Sequence, residues 1–388
     1  MKPASRRSFL QLSTAISAAA AFHVVTEPML AYAVVRKHYA AGAVRIDSNE
    51  NPLGPCASAR EAATAMIPEG GRYNFEMSEA LEKQFAEMQG LKPEYVKVYP
   101  GSSNPLYYAV RAHTSPAKSY VTADPGYEAG MFAAENAGAR VVKVPLTKTY
   151  AHDVKAMLAA GQDAGLFYIC TPNNPTGTLT GHSDIEYLLE NKPAGSVVMV
   201  DEAYIHFSDA TSAIDLVKAD KDVILLRTFS KIYGMAGMRC GFAIARPDLL
   251  EGIEKYGGWG YMPVTAVVAA KASLNDPQLV PERKRINAVV RQQTFEWLDT
   301  NGYSYIPSES NCFLLDTRRD GKEVIAAMAK QGVMVGRIWP VMPHCVRITV
   351  GIRPEMEQFQ AAFHKVMSGA VTASVMPARR GRRVLFPG

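Results

Sequence analysis

The chain has 388 residues, of which 48% are hydrophobic and 20% are charged, and this length and apolar fraction suit a globular chain of two domains. The formal charge of +5 is concentrated at the ends: residues 1–33 contribute +2 and four arginines near the C-terminus contribute +4, which leaves −1 for the body. That balance excludes a polyanion-binding protein, so no nucleic-acid partner is predicted. The five cysteines show no zinc-site spacing and no evident disulfide framework, so no metal site is predicted.

A signal peptide is predicted over residues 1–33. Residues 5–11 read S-R-R-S-F-L-Q, an alanine-rich apolar run follows, and residues 31–33 read A-Y-A. A charged start, an apolar middle and a small-residue exit define a signal peptide, and the paired arginines indicate the twin-arginine type. We therefore expect the twin-arginine translocase as a partner and a periplasmic location, or a membrane anchor if the signal is not cleaved. The alternative is a cytosolic helix that happens to carry Arg6 and Arg7.

The remainder of the chain divides into four parts. Residues 34–72 form an N-terminal arm and part of a small domain, and they include the turn-forming run D-S-N-E-N-P-L-G-P. Residues 73–265 alternate strands and helices around a mainly parallel sheet, which is typical of an α/β domain. Residues 266–368 form a smaller domain whose closing helix starts near Pro354, because Met356, Phe359, Phe363 and Val366 recur at helical spacing.

Residues 369–388 are expected to be a disordered basic tail, because they show no periodicity. A nucleic-acid patch is the alternative, although the tail offers four charges without interleaved aromatic residues. The charges are those of Arg379, Arg380, Arg382 and Arg383.

An anion site is predicted in the run P-G-S-S-N-P over residues 100–105. Asn104 is expected to cap a helix, and Pro105 suits a first helical turn. The backbone amides of Ser102 and Ser103 then point out of a helix N-terminus, which favours an anion. The alternative is an ordinary capped helix with no ligand.

Polar residues follow two apolar runs that predict buried strands. Asn174 lies in a turn rich in Asn, Pro and Gly after the run that begins at residue 166, and Asp201 ends the run over residues 197–200. The intervals of 27 residues from Asn174 to Asp201 and of 30 residues from Asp201 to Lys231 each match one βαβ unit of roughly 30 residues. Open α/β sheets bind ligands at the C-terminal ends of their strands, so these residues are expected to meet there. The alternative for Asp201 is an ordinary helix cap.

The most specific motif is T-F-S-K-I-Y-G-M-A-G-M-R over residues 228–239, which follows a third apolar run. Desolvation at a strand end lowers the pKa of a lysine such as Lys231, so that the free amine can attack an aldehyde. Thr228, Ser230 and Arg239 together suit a dianionic phosphate. A lysine beside a phosphate cup predicts a pyridoxal 5'-phosphate (PLP) site.

Two further side chains complete the predicted PLP site. Asp201 is expected to keep the pyridine nitrogen protonated, so that the ring can withdraw electrons. Tyr204, three residues later, is placed to hydrogen-bond the ring hydroxyl. The whole motif around Lys231 resembles the lysine motif of the class I and II aminotransferases, which are fold type I PLP enzymes, and within them the histidinol-phosphate aminotransferase group.

This resemblance covers most of residues 45–368 and implies a fold, a reaction and an assembly. The implied fold is α/β, with a large domain built on a mainly parallel seven-stranded sheet and a smaller α+β domain. The implied reaction is transamination between an amino acid, or a related amine, and a 2-oxo acid. The implied assembly is a homodimer with shared active sites.

The resemblance also implies roles for single residues. Asn174 contacts the ring hydroxyl, Tyr127 stacks on the ring, and Tyr73 reaches the cofactor phosphate of the other subunit. Arg347, in C-V-R-I-T-V-G, grips the carboxylate or phosphate of the substrate through its bidentate fork. The arm places Asn49 or Asn51 at the active site, unless the two residues only build a turn.

Three departures from the family pattern are visible. Ser-Ser-Asn-Pro stands where the family carries an acidic pair after the glycine, and Asn74 stands where a proline follows the tyrosine. Arg337 lies one place later than the arginine of biosynthetic relatives. Arg337 and Trp339 therefore indicate a different pocket for the substrate side chain. The alternative is that Arg337 lies at the rim of the site and only packs on Trp339.

Other reactions on the same framework stay open at the level of sequence, because fold does not fix reaction. The alternatives are an amino-acid decarboxylase, an oxygen-dependent amino-acid oxidase and a non-catalytic PLP-binding homologue. Histidine biosynthesis is cytoplasmic, so the predicted export argues for a task other than that pathway.

Overall fold

The computed structural model describes residues 39–257 and 261–369. Its strands are β1 (Val44–Ile46), β2 (Val96–Tyr99), β3 (Ser119–Asp124), β4 (Val141–Pro145), β5 (Ala164–Cys170), β6 (Val197–Asp201), β7 (Val223–Thr228), β8 (Gly241–Ile244), β9 (Ser304–Tyr305), β10 (Cys312–Asp316), β11 (Val333–Val335) and β12 (Cys345–Thr349). Its α-helices are α1 (Ala57–Met66), α2 (Phe75–Gln89), α3 (Ser103–His113), α4 (Ala129–Asn136), α5 (Val154–Ala160), α6 (His182–Asn191), α7 (Ile214–Lys218), α8 (Pro247–Glu254), α9 (Val264–Leu274), α10 (Leu279–Thr300), α11 (Gly321–Lys330) and α12 (Arg353–Ser368).

A seven-stranded sheet in the order β2-β8-β7-β6-β5-β3-β4 forms the centre of the large domain. The pairs among β7, β6, β5, β3 and β4 are all parallel, and only β8 runs antiparallel to its two neighbours. Every residue of β5, β6 and β7 is buried, as expected for strands that are covered on both faces and read as continuous apolar runs. The predicted α/β fold with a mainly parallel seven-stranded sheet is confirmed.

The apolar core around this sheet extends from Cys56 to Leu279. It includes residues of α1, which packs closely against α9. Segments that precede and follow the predicted large domain therefore contribute to this core. The predicted domain boundaries at residues 72 and 265 stay predictions.

A second core surrounds two small sheets. β1 pairs in parallel with β11, which joins the N-terminal arm to the C-terminal part, and β12-β10-β9 form an antiparallel sheet. The closing helix α12 confirms the helix predicted near Pro354. Met356, Phe359 and Phe363 of that helix are buried in this second core.

The start of α3 differs from its prediction. The helix begins at Ser103 with Ser102 at the N-cap and no capping side chain, so Asn104 lies in the first turn and the prediction that it caps the helix was wrong. The predicted signal peptide and the basic tail, apart from residue 369, lie outside the described residues. Within the described part, no helix is long and apolar enough to span a membrane.

Candidate active site

A cavity of about 370 Å³ lies where strands β5, β6 and β7 end. Asn174 follows β5, Asp201 ends β6 and Thr228 ends β7, so the parallel strands deliver all three side chains to one edge of the sheet. Most predicted site residues share this cavity. Its lining includes Ser102, Ser103, Tyr127, Asn174, Asp201, Tyr204, Thr228, Ser230, Lys231, Arg239, Arg337 and Arg347, together with Ser48, Glu50, Cys170, Ala203 and Ala236.

Lys231 reaches the cavity three residues after β7. Its Nζ donates to the backbone oxygen of Asn49 at 3.1 Å and lies 5.5 Å from the centre of the Tyr204 ring. Burial, aided by the positive charge of Arg347, lowers the pKa of Lys231 to about 8. A lysine with this pKa is partly neutral near pH 8 and can act as a nucleophile or a base.

Asp201 is buried at the floor of the cavity. Its Oδ2 accepts from the hydroxyl of Tyr168 at 2.8 Å and its Oδ1 accepts from the amide of Ala203 at 3.0 Å. Burial raises the pKa of Asp201, although both hydrogen bonds and the charge of Lys231 oppose that rise. A cation placed against Asp201 would favour its charged form. The protonated nitrogen of a pyridine ring is such a cation.

Asn49 connects the N-terminal arm to the centre of the site. It is buried with a φ of 53°, and its Nδ2 donates to the hydroxyl of Tyr204 at 3.1 Å. Its backbone N–H donates to the hydroxyl of Thr349, and its Oδ1 accepts from the same hydroxyl. Asn51 has a different partner: its Nδ2 donates to the backbone oxygen of Ile232 at 3.0 Å. Neither asparagine is among the described residues that line the cavity, so Asn49 reaches the site through its bonds to Lys231 and Tyr204.

The predicted phosphate cup is assembled from two segments. The uncapped N-terminus of α3 presents Ser102 and Ser103, and opposite it Thr228 donates to Ser230 at 3.0 Å. Arg239 donates to Ser230 at 3.2 Å through Nη1 and to the backbone of Ala236 at 3.0 Å.

A glycine makes room for this arrangement. A Cβ at Gly101 would lie 2.0 Å from Nη2 of Arg239, and Gly101 has a φ of +83°. Since L side chains rarely adopt that conformation, the backbone favours glycine here, and any side chain would also displace the guanidinium of Arg239.

Arg347 extends from β12 into the same cavity. Its Nη1 donates to Oδ1 of Asn174 at 2.9 Å and its Nη2 donates to the backbone oxygen of Asp47 at 2.8 Å. Its buried Nε–H has no hydrogen-bond partner among the described residues. A guanidinium carries five N–H donors, so the two bonds hold the side chain in place and leave donors for an anionic ligand.

Arg337 lines the cavity beside Tyr127. Its Nη2 forms an ion pair with the carboxylate of Glu128, and its guanidinium lies 4.5 Å from the centre of the Trp339 ring. Trp339 is buried and donates through Nε1 to the backbone of Gly126 at 2.9 Å. Arg337 is therefore part of the cavity wall, stacked on an aromatic ring.

Tyr73 does not line the cavity of its own chain. It is 64% exposed and its ring lies 4.5 Å from that of Tyr261 and 5.6 Å from that of Phe75.

All five cysteines are free and buried. In the described part of the chain, no three His, Cys, Asp or Glu side chains are grouped as metal ligands.

The residues of the cavity fit PLP. The cup around Arg239 suits its phosphate, the buried carboxylate of Asp201 suits its pyridinium nitrogen, and the amine of Lys231 suits its aldehyde. Tyr204 and Asn174 offer a hydroxyl and an amide for the ring oxygen. A large α/β domain with these groups at the strand ends defines a fold type I PLP enzyme.

Residues 42–363 match the family of class I and II aminotransferases, and the chain belongs to that family. A histidinol-phosphate aminotransferase of Moorella thermoacetica is 32% identical over 338 residues, which cover 84% of this chain and 86% of that protein. An aromatic amino acid aminotransferase of Cutibacterium acnes is 32% identical over 333 residues, covering 84% and 93%. The structure of a Sinorhizobium meliloti histidinol-phosphate aminotransferase in complex with pyridoxal-5'-phosphate has a TM-score of 0.78 at 27% identity, covering 84% and 91%. The protein is a PLP-dependent aminotransferase.

Sequence reasoning missed two side chains of the site. Tyr168 lies inside the apolar run of β5 and reads as a core residue, yet its hydroxyl bonds Asp201. Glu128 follows Tyr127 directly and pairs with Arg337, 209 positions further along the chain. The signal that could have pointed to Glu128 is its position beside a predicted cofactor-stacking tyrosine.

Proposed function

We propose that this aminotransferase exchanges an amino group between an amino acid, or a related amine, and a 2-oxo acid. The observation that carries the proposal is the meeting of Lys231, Asp201 and Arg347 in one cavity. These residues supply a base, a partner for a protonated ring and an anchor for a carboxylate.

Each of the three side chains has a separate task. When bound, PLP withdraws electrons from the substrate and so acidifies its Cα–H bond. Lys231, with its pKa lowered to about 8, would remove the proton from Cα as a general base and deliver it as a general acid to C4′, the carbon that carries the aldehyde of free PLP. Asp201 holds the proton on the ring nitrogen, and Arg347 holds the substrate carboxylate so that Cα faces Lys231.

An amino-transfer assay on the purified holoprotein tests the proposal. The protein is incubated with pyruvate, a 2-oxo acid with a single carboxylate, and a panel of single amino acids, and both the new oxo acid and alanine are quantified. Equal amounts of the two products are expected for at least one donor. Release of carbon dioxide or hydrogen peroxide instead would indicate a decarboxylase or an oxidase, and an unchanged cofactor spectrum with every donor would indicate a non-catalytic homologue.

Arg347→Lys should weaken substrate binding without loss of the cofactor. A lysine places a point charge where the bidentate fork stood, and a charge-assisted contact contributes about 1.5–3 kcal/mol. KM for the amino acid should therefore rise roughly 10–150-fold, as measured by steady-state kinetics. PLP content, read from absorbance, should not change. Lost PLP with unchanged KM would assign Arg347 to the cofactor phosphate.

We also infer a homodimer with shared active sites. Tyr73, which the family resemblance assigns to the partner's cofactor phosphate, lies on the surface with Phe75 and Tyr261, and the three are 64%, 52% and 39% exposed. A cluster of exposed aromatic rings is typical of an interaction surface. Sedimentation of the holoprotein measures the assembly, and a monomer at micromolar concentration would contradict it.

Export by the twin-arginine route is proposed from the sequence of residues 1–33. Replacement of Arg6 and Arg7 by lysine should keep the protein in the cytoplasm with PLP bound, because the paired arginines are the address that the route reads. Fractionation followed by immunoblotting measures the distribution. As a control, Lys2→Arg changes a basic residue outside the pair and should leave export intact. An unchanged periplasmic yield of the double variant would contradict the route.

A further inference from the structure

Three arginines are among the described residues that line the cavity, and two of them, Arg337 and Arg347, differ in charge balance. Arg337 forms an ion pair with Glu128, whereas Arg347 has no carboxylate partner within residues 39–257 and 261–369 and bonds only the amide oxygen of Asn174 and the backbone of Asp47. Both guanidiniums lie over the same ring, at 4.5 Å and 5.7 Å from the centre of Trp339. This wall of the cavity therefore presents one uncompensated positive charge.

Three features of the fold support the ion pair of Glu128 with Arg337. Glu128 is the N-cap residue of α4, where the helix dipole favours a negative charge. The turn before it is fixed by the bond from Trp339 to Gly126, and the side chain of Glu128 is only 18% exposed. The ion pair is thus partly shielded from water, which strengthens it relative to a surface pair.

We propose that Glu128 is a specificity-determining residue that directs this site toward substrates with a single anionic group. The inference rests on the proposed function and concerns the substrate class of the same site. A substrate with a second acid group, such as a phosphate ester or a side-chain carboxylate, must displace Glu128 from Arg337 or lie against its like charge. Since Arg347 is held apart from Glu128 by its own bonds, a lone α-carboxylate meets no such barrier.

The test compares Glu128→Gln with Glu135→Gln, which makes the same change at an exposed position of α4. Holoprotein is titrated by calorimetry with succinate, a dicarboxylate, and with butyrate, a monocarboxylate of the same chain length. Glu128→Gln should bind succinate at least about tenfold more tightly than the wild-type protein, because Arg337 becomes available for a charge-assisted contact. Butyrate affinity should change less than about twofold in either variant, and Glu135→Gln should match the wild-type protein throughout.

A second change assigns the gain to the ion pair. Adding Arg337→Ala to Glu128→Gln should return succinate affinity to the wild-type range. The proposal would be overturned if Glu128→Gln bound succinate no more tightly than the wild-type protein. It would also be overturned if the affinity for butyrate rose by the same factor as that for succinate. Because these titrations need no turnover, a failure of amino transfer would refute the proposed function while the succinate-to-butyrate ratio still decides the role of Glu128.

Discussion

Lys231→Ala should abolish amino transfer while PLP still binds non-covalently. Loss of the positioned acid and base at Cα alone accounts for about 10²–10⁴-fold, and loss of the attacking amine adds to it. Exchange of the substrate Cα proton for deuterium, followed by NMR, measures the step directly. Lys221→Ala, at an exposed position, serves as the matched control and should exchange at the wild-type rate.

Two further measurements separate a catalytic loss from a folding defect. Borohydride treatment of the wild-type holoprotein should fix the cofactor to the peptide that contains Lys231, and a label on any other lysine would refute the assignment. Added methylamine should restore part of the proton exchange in Lys231→Ala, because a small amine can occupy the vacated volume. A misfolded variant would show no such rescue.

The pKa of Lys231 gives this residue a pH signature of its own. In the apoprotein the ammonium dominates below the pKa of about 8 and the neutral amine dominates above it. The rate at which apoprotein captures added PLP covalently should therefore rise up to about pH 8 and then level off. A lysine with the ordinary value of 10.5 would give a rate that continues to rise to higher pH.

The parts of the site that follow local sequence rules could be predicted. Asn174, Asp201 and Lys231 each follow an apolar run that predicts a buried strand, and parallel strands bring such positions to one edge. Arg239 and Ser230 belong to the same short motif as Lys231. The cap of α3 was misplaced, because Ser102, Ser103 and Asn104 are all acceptable N-cap residues and their sequence alone does not distinguish them.

The contacts that sequence could not supply join distant segments. The carbonyl of Asn49 accepts from Lys231 across 182 positions, and Glu128 pairs with Arg337 across 209. No periodicity or spacing relates such residues, since their contacts depend on the tertiary packing of segments that lie far apart in the sequence. Asn49 and Asn51 were indistinguishable in the turn-forming arm, and only their tertiary partners separate them: Asn49 bonds Tyr204, whereas Asn51 bonds the backbone of Ile232.

Asp201→Asn should lower turnover by about 10²–10³-fold, which is typical for the removal of one group that stabilises developing charge in a closed site. The substitution keeps the shape and removes the charge that holds the proton on the ring nitrogen. Tyr168→Phe is the matched variant, because it deletes the 2.8 Å bond to Asp201 and leaves the charge in place. Tyr168→Phe should lower turnover far less than Asp201→Asn does, and steady-state kinetics of both variants measures the difference.

The stability of the apoprotein provides an independent readout. Burial raises the pKa of Asp201 in the folded chain, so its charged form destabilises the folded state at any pH above its unfolded value near 3.8. Apoprotein of Asp201→Asn should therefore unfold at the same temperature as the wild-type apoprotein or at a higher one, whereas added PLP should stabilise it less. Calorimetric melting with and without PLP measures both effects. If PLP stabilises Asp201→Asn as much as the wild-type protein and turnover stays near normal, another group protonates the ring.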